Sequence, residues 1–239
     1  MKKLTLTLIL ILSANLLASE IFNTTYSFKN VSVNYLDWSS KTEETTPQKD
    51  FAYLEFEGGA GFSWGDFYMF LDIENPTKSY IDEPADNLRV AFKPVLSLNV
   101  LNNISLYFQS YTLQSEEFYT VEPVLGVSYK LSTENGFWIQ PFVGLHYQDN
   151  TYYSGMNGYM LGWTFLYPFS LSQQKFSISQ WHEHTFERDD ENIGTQGALA
   201  FWWHPVDTIT AGFQYRYAKN ELGNSEYQDA LIYSLKYNF

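Results

Sequence analysis

The last eleven residues, Asp229-Ala230-Leu231-Ile232-Tyr233-Ser234-Leu235-Lys236-Tyr237-Asn238-Phe239, decide the fold. In an extended chain, successive side chains point to opposite faces. One face carries Leu231, Tyr233, Leu235, Tyr237 and Phe239, and the other carries Ala230, Ser234, Lys236 and Asn238. The stretch therefore predicts a final β-strand with one apolar and one polar face, ending on an aromatic residue.

The beginning of the chain indicates where such a strand would reside. Met1-Lys2-Lys3 is followed by the apolar run Leu4–Leu12 and by small residues up to Ser19, a pattern that predicts a signal peptide over residues 1–19. The apolar run is shorter than the roughly 20 residues of a membrane-spanning helix. In an exported chain, a terminal Phe with Tyr two positions before it resembles the signal by which outer-membrane β-barrels are recognised for assembly. The alternative is a half-buried edge strand of a soluble β-sandwich.

The composition excludes several classes of protein. The formal net charge is −13, and loss of Lys2 and Lys3 makes it −15, which argues against nucleic acid as a partner. The chain has no Cys, so disulfides, thiol catalysis and thiolate metal sites are excluded. Aromatic residues make up 19% of the chain. Abundant aromatics without long apolar runs are typical of membrane barrels, in which one strand face meets lipid and aromatic girdles lie at both interfaces.

The same two-residue period recurs along the chain at intervals of roughly 15 to 25 residues. Strands are predicted to begin near residues 28, 50, 65, 87, 104, 118, 137, 156, 175, 194, 208 and 228. Single-chain bacterial barrels have an even number of strands. We therefore expect residues 20–239 to form one domain, an all-β transmembrane antiparallel barrel of twelve strands with periplasmic N- and C-termini. A soluble sandwich would show shorter strands and more frequent turn signals.

The predicted connections alternate between two kinds. Those after odd-numbered strands are polar and mostly acidic, at residues 39–49, 75–86, 148–154, 188–193 and 219–227. Those after even-numbered strands are tight turns, at residues 62–64, 102–103, 132–136, 170–174 and 204–207. Long surface loops at one end and short turns at the other are a second, independent indication of a membrane barrel.

Carboxylates fix which strand face points inward, because a carboxylate turned toward lipid would cost several kcal/mol. Lipid-facing positions of the second and third strands are Ala52, Leu54, Phe56, Phe67, Met69, Leu71 and Ile73. The candidate pore-lining residues are Tyr53, Glu55, Glu57, Asp66, Tyr68, Phe70, Asp72, Arg89, Tyr107, Gln109, Tyr111 and Arg216. We also expect Lys93, Gln140, His146 and Lys236 to point inward, and the cations to pair with inward carboxylates, Glu122 included.

Two segments carry a resemblance to a known family. The run Tyr53–Glu57 followed by Gly65–Asp72 resembles the second and third strands of the nucleoside-specific channel-forming outer-membrane porins, the Tsx/OmpK-like family. Phe92–Leu98, Phe176–Phe186 and Tyr237–Phe239 are similar to it more weakly. The resemblance implies a monomeric twelve-stranded barrel with a narrow pore in the outer membrane of a Gram-negative bacterium, and a passive channel for nucleosides. The chain is shorter than the family pattern, and its first strand matches poorly.

A nucleoside channel needs aromatic faces for the base, hydrogen-bonding groups for the ribose and weak binding at several sites. The inward aromatic residues would supply the faces, and the inward Glu, Asp, Gln and Arg residues the hydrogen bonds. The same rings could instead fill a small barrel, and the same charges could form a structural network. The expected partners are outer-membrane lipid, a nucleoside-like solute and, through Phe239, the assembly machinery. No cofactor is expected.

Three other functions compete with a channel. His182 and His184 share a strand face, but two ligands do not define a metal site. An outer-membrane lipase would need a His two positions before a nucleophilic Ser, whereas Gln148, His184 and Val206 occupy the positions two after His146, His182 and His204. An adhesin or phage-receptor barrel without solute specificity also remains open.

Overall fold

The computed structural model of the protein describes residues 23–78, 87–189 and 192–239. The predicted signal peptide, residues 1–19, lies outside the described residues. The barrel strands are β1 Thr24–Trp38, β2 Phe51–Phe62, β3 Gly65–Glu74, β4 Arg89–Leu101, β5 Ile104–Gln114, β6 Tyr119–Tyr129, β7 Trp138–Asn150, β8 Ser154–Leu171, β9 Gln174–Phe186, β10 Gly194–Val206, β11 Ile209–Lys219 and β12 Gln228–Asn238. Each begins within four residues of its predicted start, and the prediction of twelve antiparallel strands is confirmed.

Every strand pairs antiparallel with its neighbours, and the sheet closes on itself. β1 pairs with both β2 and β12, and β6 pairs with both β5 and β7, so each of the twelve described strands has a partner on both sides. A closed barrel satisfies the backbone hydrogen bonds that lipid cannot satisfy. β6 continues past Lys130 as Leu131–Ser132, which pairs with the start of β7.

The two ends of the barrel differ, as the sequence predicted. At one end, called the turn end here, lie the connections after even-numbered strands and both terminal strand ends; the connections after odd-numbered strands lie at the other end, called the loop end. Several predicted connections prove shorter than expected. Residues 151–153 alone join β7 to β8, and residues 172–173 join β8 to β9. β10 continues to Val206 because a bulge after Trp203 carries the strand past Pro205.

The loop after β1 contains a helical turn, α1 Ser40–Thr45, where the sequence indicated only a loop. Ser39 caps it, accepting a hydrogen bond from the Thr42 backbone N–H. The Ser39 hydroxyl also donates to Asp229 Oδ1 at 2.6 Å. These contacts tie the loop to the beginning of β12.

The outer face of the barrel is apolar. Outward residues such as Val33, Leu125 and Leu235 are more than half exposed, as expected for side chains that meet lipid. Near the turn end, Phe169, Phe176, Phe201 and Phe213 of β8 to β11 form a row with ring centroids 5.5, 5.6 and 5.7 Å apart. Such a row is typical of an interfacial aromatic girdle. Within the described ranges, no helix is long and apolar enough to cross a membrane.

Candidate functional site

The strand alternation turns all twelve candidate pore-lining residues toward the barrel interior. Tyr53, Tyr107 and Gln109 are nearly completely buried there, and the others are at least partly covered. Gln140 and His146 also point inward; Gln140 Nε2 donates to Ser97 Oγ at 2.8 Å and to Ser128 Oγ at 3.0 Å. Hydrogen-bonded side chains therefore line much of the interior.

A first cluster of charges lies on the inner wall of β1, β2 and β12. Lys236 Nζ lies 2.8 Å from Glu57 Oε2 and 3.5 Å from Glu55 Oε1. Glu57 also accepts hydrogen bonds from Asn30 Nδ2 and from the Tyr68 hydroxyl, both at 2.9 Å. The expectation that inward cations pair with inward carboxylates agrees with this geometry.

A second cluster joins opposite walls. Lys93 on β4 forms an ion pair with Glu183 on β9, and its ammonium lies 5.6 Å from the ring centroid of Trp181. Glu183 also accepts from Gln109 Nε2 at 2.8 Å and from Gln196 Nε2 at 3.2 Å. The glutamate thus has donors from three strands, β4, β5 and β10.

One side of the interior is filled by apolar side chains. Tyr107 stacks on Phe142 with ring centroids 4.3 Å apart, and Val124 and Met160 complete a cluster in which no residue is more than 6% exposed. These residues come from β5 to β8. For Tyr107, the structure therefore favours a packing role over a solute contact.

The remaining wall, β2, β3 and β9 to β11, is more polar toward the loop end. Glu55 and Asp72 are register partners on β2 and β3, and Asp72 Oδ1 has no hydrogen-bond partner among the described residues. Arg216 on β11 lies over the Trp181 ring at 5.2 Å and reaches Gln196 Oε1 at 3.5 Å. Asp72 interacts electrostatically with Arg216. Carboxylate, guanidinium and indole groups thus line the same part of the interior, and we call Asp72, Trp181 and Arg216 the polar lobe.

Two inward ion pairs differ from the sequence expectation. Asp66 pairs with Lys130 Nζ at 2.8 Å, and Arg89 pairs with Glu74 at 2.7 Å on the adjacent strand. Lys130 follows β6 near the turn end, and its charge also lies 5.4 Å from the Tyr26 ring. The expected inward cations did not include Lys130, because the direction of a side chain beside a turn does not follow from strand alternation.

The His182-Glu183-His184 segment is divided between the two faces of β9. Glu183 points inward, whereas His182 stacks on Trp163 with ring centroids 4.2 Å apart and its Nδ1 lies 2.8 Å from the Tyr217 hydroxyl. Among the described residues, no group of three or more His, Asp or Glu side chains is placed to hold a metal ion. The contacts of His182 are those of a residue packed against neighbouring rings on the outer surface.

Besides Lys130, sequence reasoning missed the interior residues Trp181 and Glu183. The alternation of β9 did contain the signal, since residues 177, 179, 181 and 183 share one face. His182 and His184, whose imidazoles are common metal ligands, lie on the other face of the strand.

A closed barrel with an apolar outer face and a polar, charged inner face defines a membrane-inserted β-barrel of the channel-forming class. The chain belongs to the family of the nucleoside-specific channel-forming protein, Tsx, which matches residues 33–239. It is a passive channel of the outer membrane of a Gram-negative bacterium.

Several solved structures are similar to this chain at low sequence identity, and the first of them shares its fold. The NanC porin is 10% identical, with 87% of this chain and 100% of that chain covered and a TM-score of 0.52. The KdgM porin, solved in complex with disordered oligogalacturonate, is 9% identical, covers 87% and 99% of the two chains and has a TM-score of 0.49. The DcaP channel of Acinetobacter baumannii is 8% identical, with coverages of 90% and 96% and a TM-score of 0.39.

Proposed function

We propose that the protein passes nucleosides, or neutral solutes of similar size, through the polar lobe. The supporting observation is the placement of an indole beside groups that bind hydroxyls: Arg216 lies 5.2 Å from the ring centroid of Trp181 and reaches Gln196 Oε1 at 3.5 Å, and Asp72 adds a carboxylate on the inner face of β3. A base that stacks on an aromatic ring gains roughly 1 to 3 kcal/mol, which suits transient occupancy. The ribose hydroxyls would donate to Asp72 and accept from Arg216.

Balanced charge supports a neutral solute over an acidic sugar. The interior cations Lys93, Lys130 and Lys236 each contact a carboxylate, so they do not form an unpaired basic track. An anionic solute would have to compete with these glutamates and aspartates. We therefore propose that the channel favours nucleosides over nucleotides and uronic acids as solutes.

The proposal extends to processing and orientation. Residues 1–19 are removed as a leader, the termini and the turn end are periplasmic, and the mature protein is a monomer. The assembly machinery recognises the final strand, in which Phe239 is 69% exposed and packs edge-on against Tyr237 at 5.2 Å. Its exposure leaves the ring accessible to a partner.

The protein is proposed not to be an enzyme. Ser177 Oγ does lie 2.9 Å from His204 Nε2, a contact between neighbouring strands that spacing in the sequence could not indicate. The other imidazole nitrogen meets the Thr210 hydroxyl at 2.9 Å, not a carboxylate that would stabilise an imidazolium. Thr210 in turn accepts from Asn238, so the contacts tie the turn end of the barrel together.

Uptake into proteoliposomes tests the choice of cargo. Labelled uridine should enter at least severalfold faster than uridine 5′-phosphate, and Trp181→Ala should reduce the saturable part of uridine uptake. Trp203→Ala is the matched control, because Trp203 lies on the outer face and is 42% exposed. Equal rates for the two solutes, or equal losses in both variants, would contradict the proposal. A barrel that passes neither solute would support the receptor-type alternative.

A further inference from the structure

The Lys93–Glu183 ion pair links walls that a round barrel would hold far apart. β4 and β9 are five strands apart in a ring of twelve. With strands about 4.8 Å apart and tilted by about 40°, a circular barrel of this size would be roughly 24 Å across. A lysine and a glutamate that meet at their tips span roughly 14 Å between Cα atoms, given carbon–carbon bonds of about 1.5 Å. The cross-section must therefore be oval at this level, with β4 and β9 on its near walls.

The pair lies close to the loop end. Lys93 is the fifth residue of β4 counted from Arg89, and Glu183 is the fourth of β9 counted back from Phe186. Other interior ion pairs link nearer strands: Lys236 on β12 reaches β2 across one intervening strand, and Arg89 pairs with a residue of the neighbouring β3. The Lys93–Glu183 pair thus crosses the interior, whereas these other two follow the wall.

The two halves of the pair are held differently. Glu183 is fixed by Gln109 and Gln196, and Gln109 itself accepts from the Tyr107 hydroxyl at 2.7 Å. Lys93 contacts Glu183 and the face of Trp181, both of which belong to the opposite strand. Lys93 therefore links β4 to β9 by an ion pair, beside the hydrogen bond by which Gln109 links the neighbouring β5 to Glu183.

We propose that the Lys93–Glu183 pair ties β4 to β9 and so sets the size limit of the channel. On one side of the pair is the apolar cluster of Tyr107, Val124, Phe142 and Met160, which is closed to solute by packing. On the other side lies the polar lobe. The tie bounds the polar lobe and prevents the near walls from separating, so a solute larger than a nucleoside is excluded. This inference rests on the proposed channel function.

Single-channel conductance of the purified barrel tests the tie. Lys93→Ala and Lys93→Met should each raise conductance at least twofold and admit raffinose in a liposome-swelling assay. Lys93→Met is decisive because it keeps an unbranched side chain of similar length and removes the ammonium group that pairs with Glu183. The charge-reversed double variant Lys93→Glu/Glu183→Lys should return both measurements toward the unmodified protein. Lys175→Met is the matched control, because Lys175 pairs with Asp207 on the exposed turn end.

Each result bears on a distinct claim. Heat-modifiable migration on a gel first establishes that each variant is folded, and the double variant serves if a single variant fails to fold. If the unmodified barrel conducts and Lys93→Met has the same conductance, the tie is refuted and the channel function is retained. A rise in conductance seen only in Lys93→Ala would likewise refute the role of the ion pair. If only the Lys93 variants conduct, the tie is supported and the channel proposal fails. If no form conducts, both fail.

Discussion

Lys236 on β12 reaches across β1 to Glu57 on β2, with 2.8 Å between Nζ and Oε2. Lys236 lies on the polar face of the same terminal strand whose apolar face predicted a membrane barrel. Its ammonium also lies 4.4 Å from the centre of the Trp202 ring. One cation therefore serves two inward glutamates close to the seam where the first and last strands meet.

Removing that cation should destabilise the barrel strongly. Lys236→Met leaves Glu55 and Glu57 covered by protein without their partner, and breaking a buried ion pair in this way costs about 3 to 5 kcal/mol. Lys175→Met, at an exposed pair, should cost less than about 1 kcal/mol. Urea unfolding from lipid vesicles, followed by tryptophan fluorescence, measures both free energies. Similar losses in the two variants would mean that the interior pair is solvated like a surface pair.

Gly158 on β8 should not tolerate a side chain. Its φ is +74°, and an added Cβ would lie 2.1 Å from the carbonyl oxygen of Phe186. Gly223, in the loop after β11, has φ +73°, but no atom beyond its chain neighbours lies within 4 Å of a Cβ added there. It is therefore a matched control for backbone strain. Gly223→Ala should cost about 1 kcal/mol, and Gly158→Ala should cost about 1 to 3 kcal/mol more because atoms must move. Equal unfolding free energies would show that the strands can separate at Gly158 without cost.

Accessibility to a water-soluble thiol reagent should follow the strand alternation. Thr164 on β8 points inward and is exposed to the interior, whereas Leu161 on the same strand points outward and is 42% exposed. A membrane-impermeant maleimide should label Thr164→Cys in vesicles and leave Leu161→Cys unmodified, because lipid covers the latter. The opposite pattern would mean that the register is wrong by one residue.

Glu221, in the loop after β11, should make stability depend on pH. Burial raises the pKa of its carboxyl to about 7, although Thr185 and Arg188 contact it. The folded state then binds more protons than the unfolded state between about pH 4.5 and 7, so this group's contribution to stability falls as pH rises through that range and is constant above it. The thermal midpoint of heat-modifiable migration should fall more between pH 5 and 8 in the unmodified protein than in Glu221→Gln. Parallel curves would contradict the assignment.

The strands were predictable because lipid leaves little choice of register. In β2 and β3 a shift by one residue would turn Glu55, Glu57 and Asp72 toward hydrocarbon, at a cost of several kcal/mol each. Strand ends were less predictable. A bulge let β10 continue past Pro205, and hydrogen bonds to Asp229 ordered α1 within the predicted loop. Neither effect can be predicted from the alternation of apolar and polar residues along one strand.

The pairing inside the barrel was only partly predictable. Alternation indicates that Lys93 and Glu183 point inward, but their contact depends on the oval cross-section, which arises from the packing of all twelve strands. Lys236 was expected to pair with one of the inward carboxylates, and it meets Glu55 and Glu57 because only β1 separates β12 from β2. Ion pairs between nearby strands follow from the strand order. Ion pairs across the interior also depend on the shape of the barrel's cross-section.

Planar-bilayer recording of the purified protein tests the central claim, passage of nucleosides, most directly. Millimolar adenosine or thymidine should interrupt the single-channel current, because a solute that occupies the polar lobe displaces the ions that carry it. A single-channel current unchanged by either nucleoside would contradict the account.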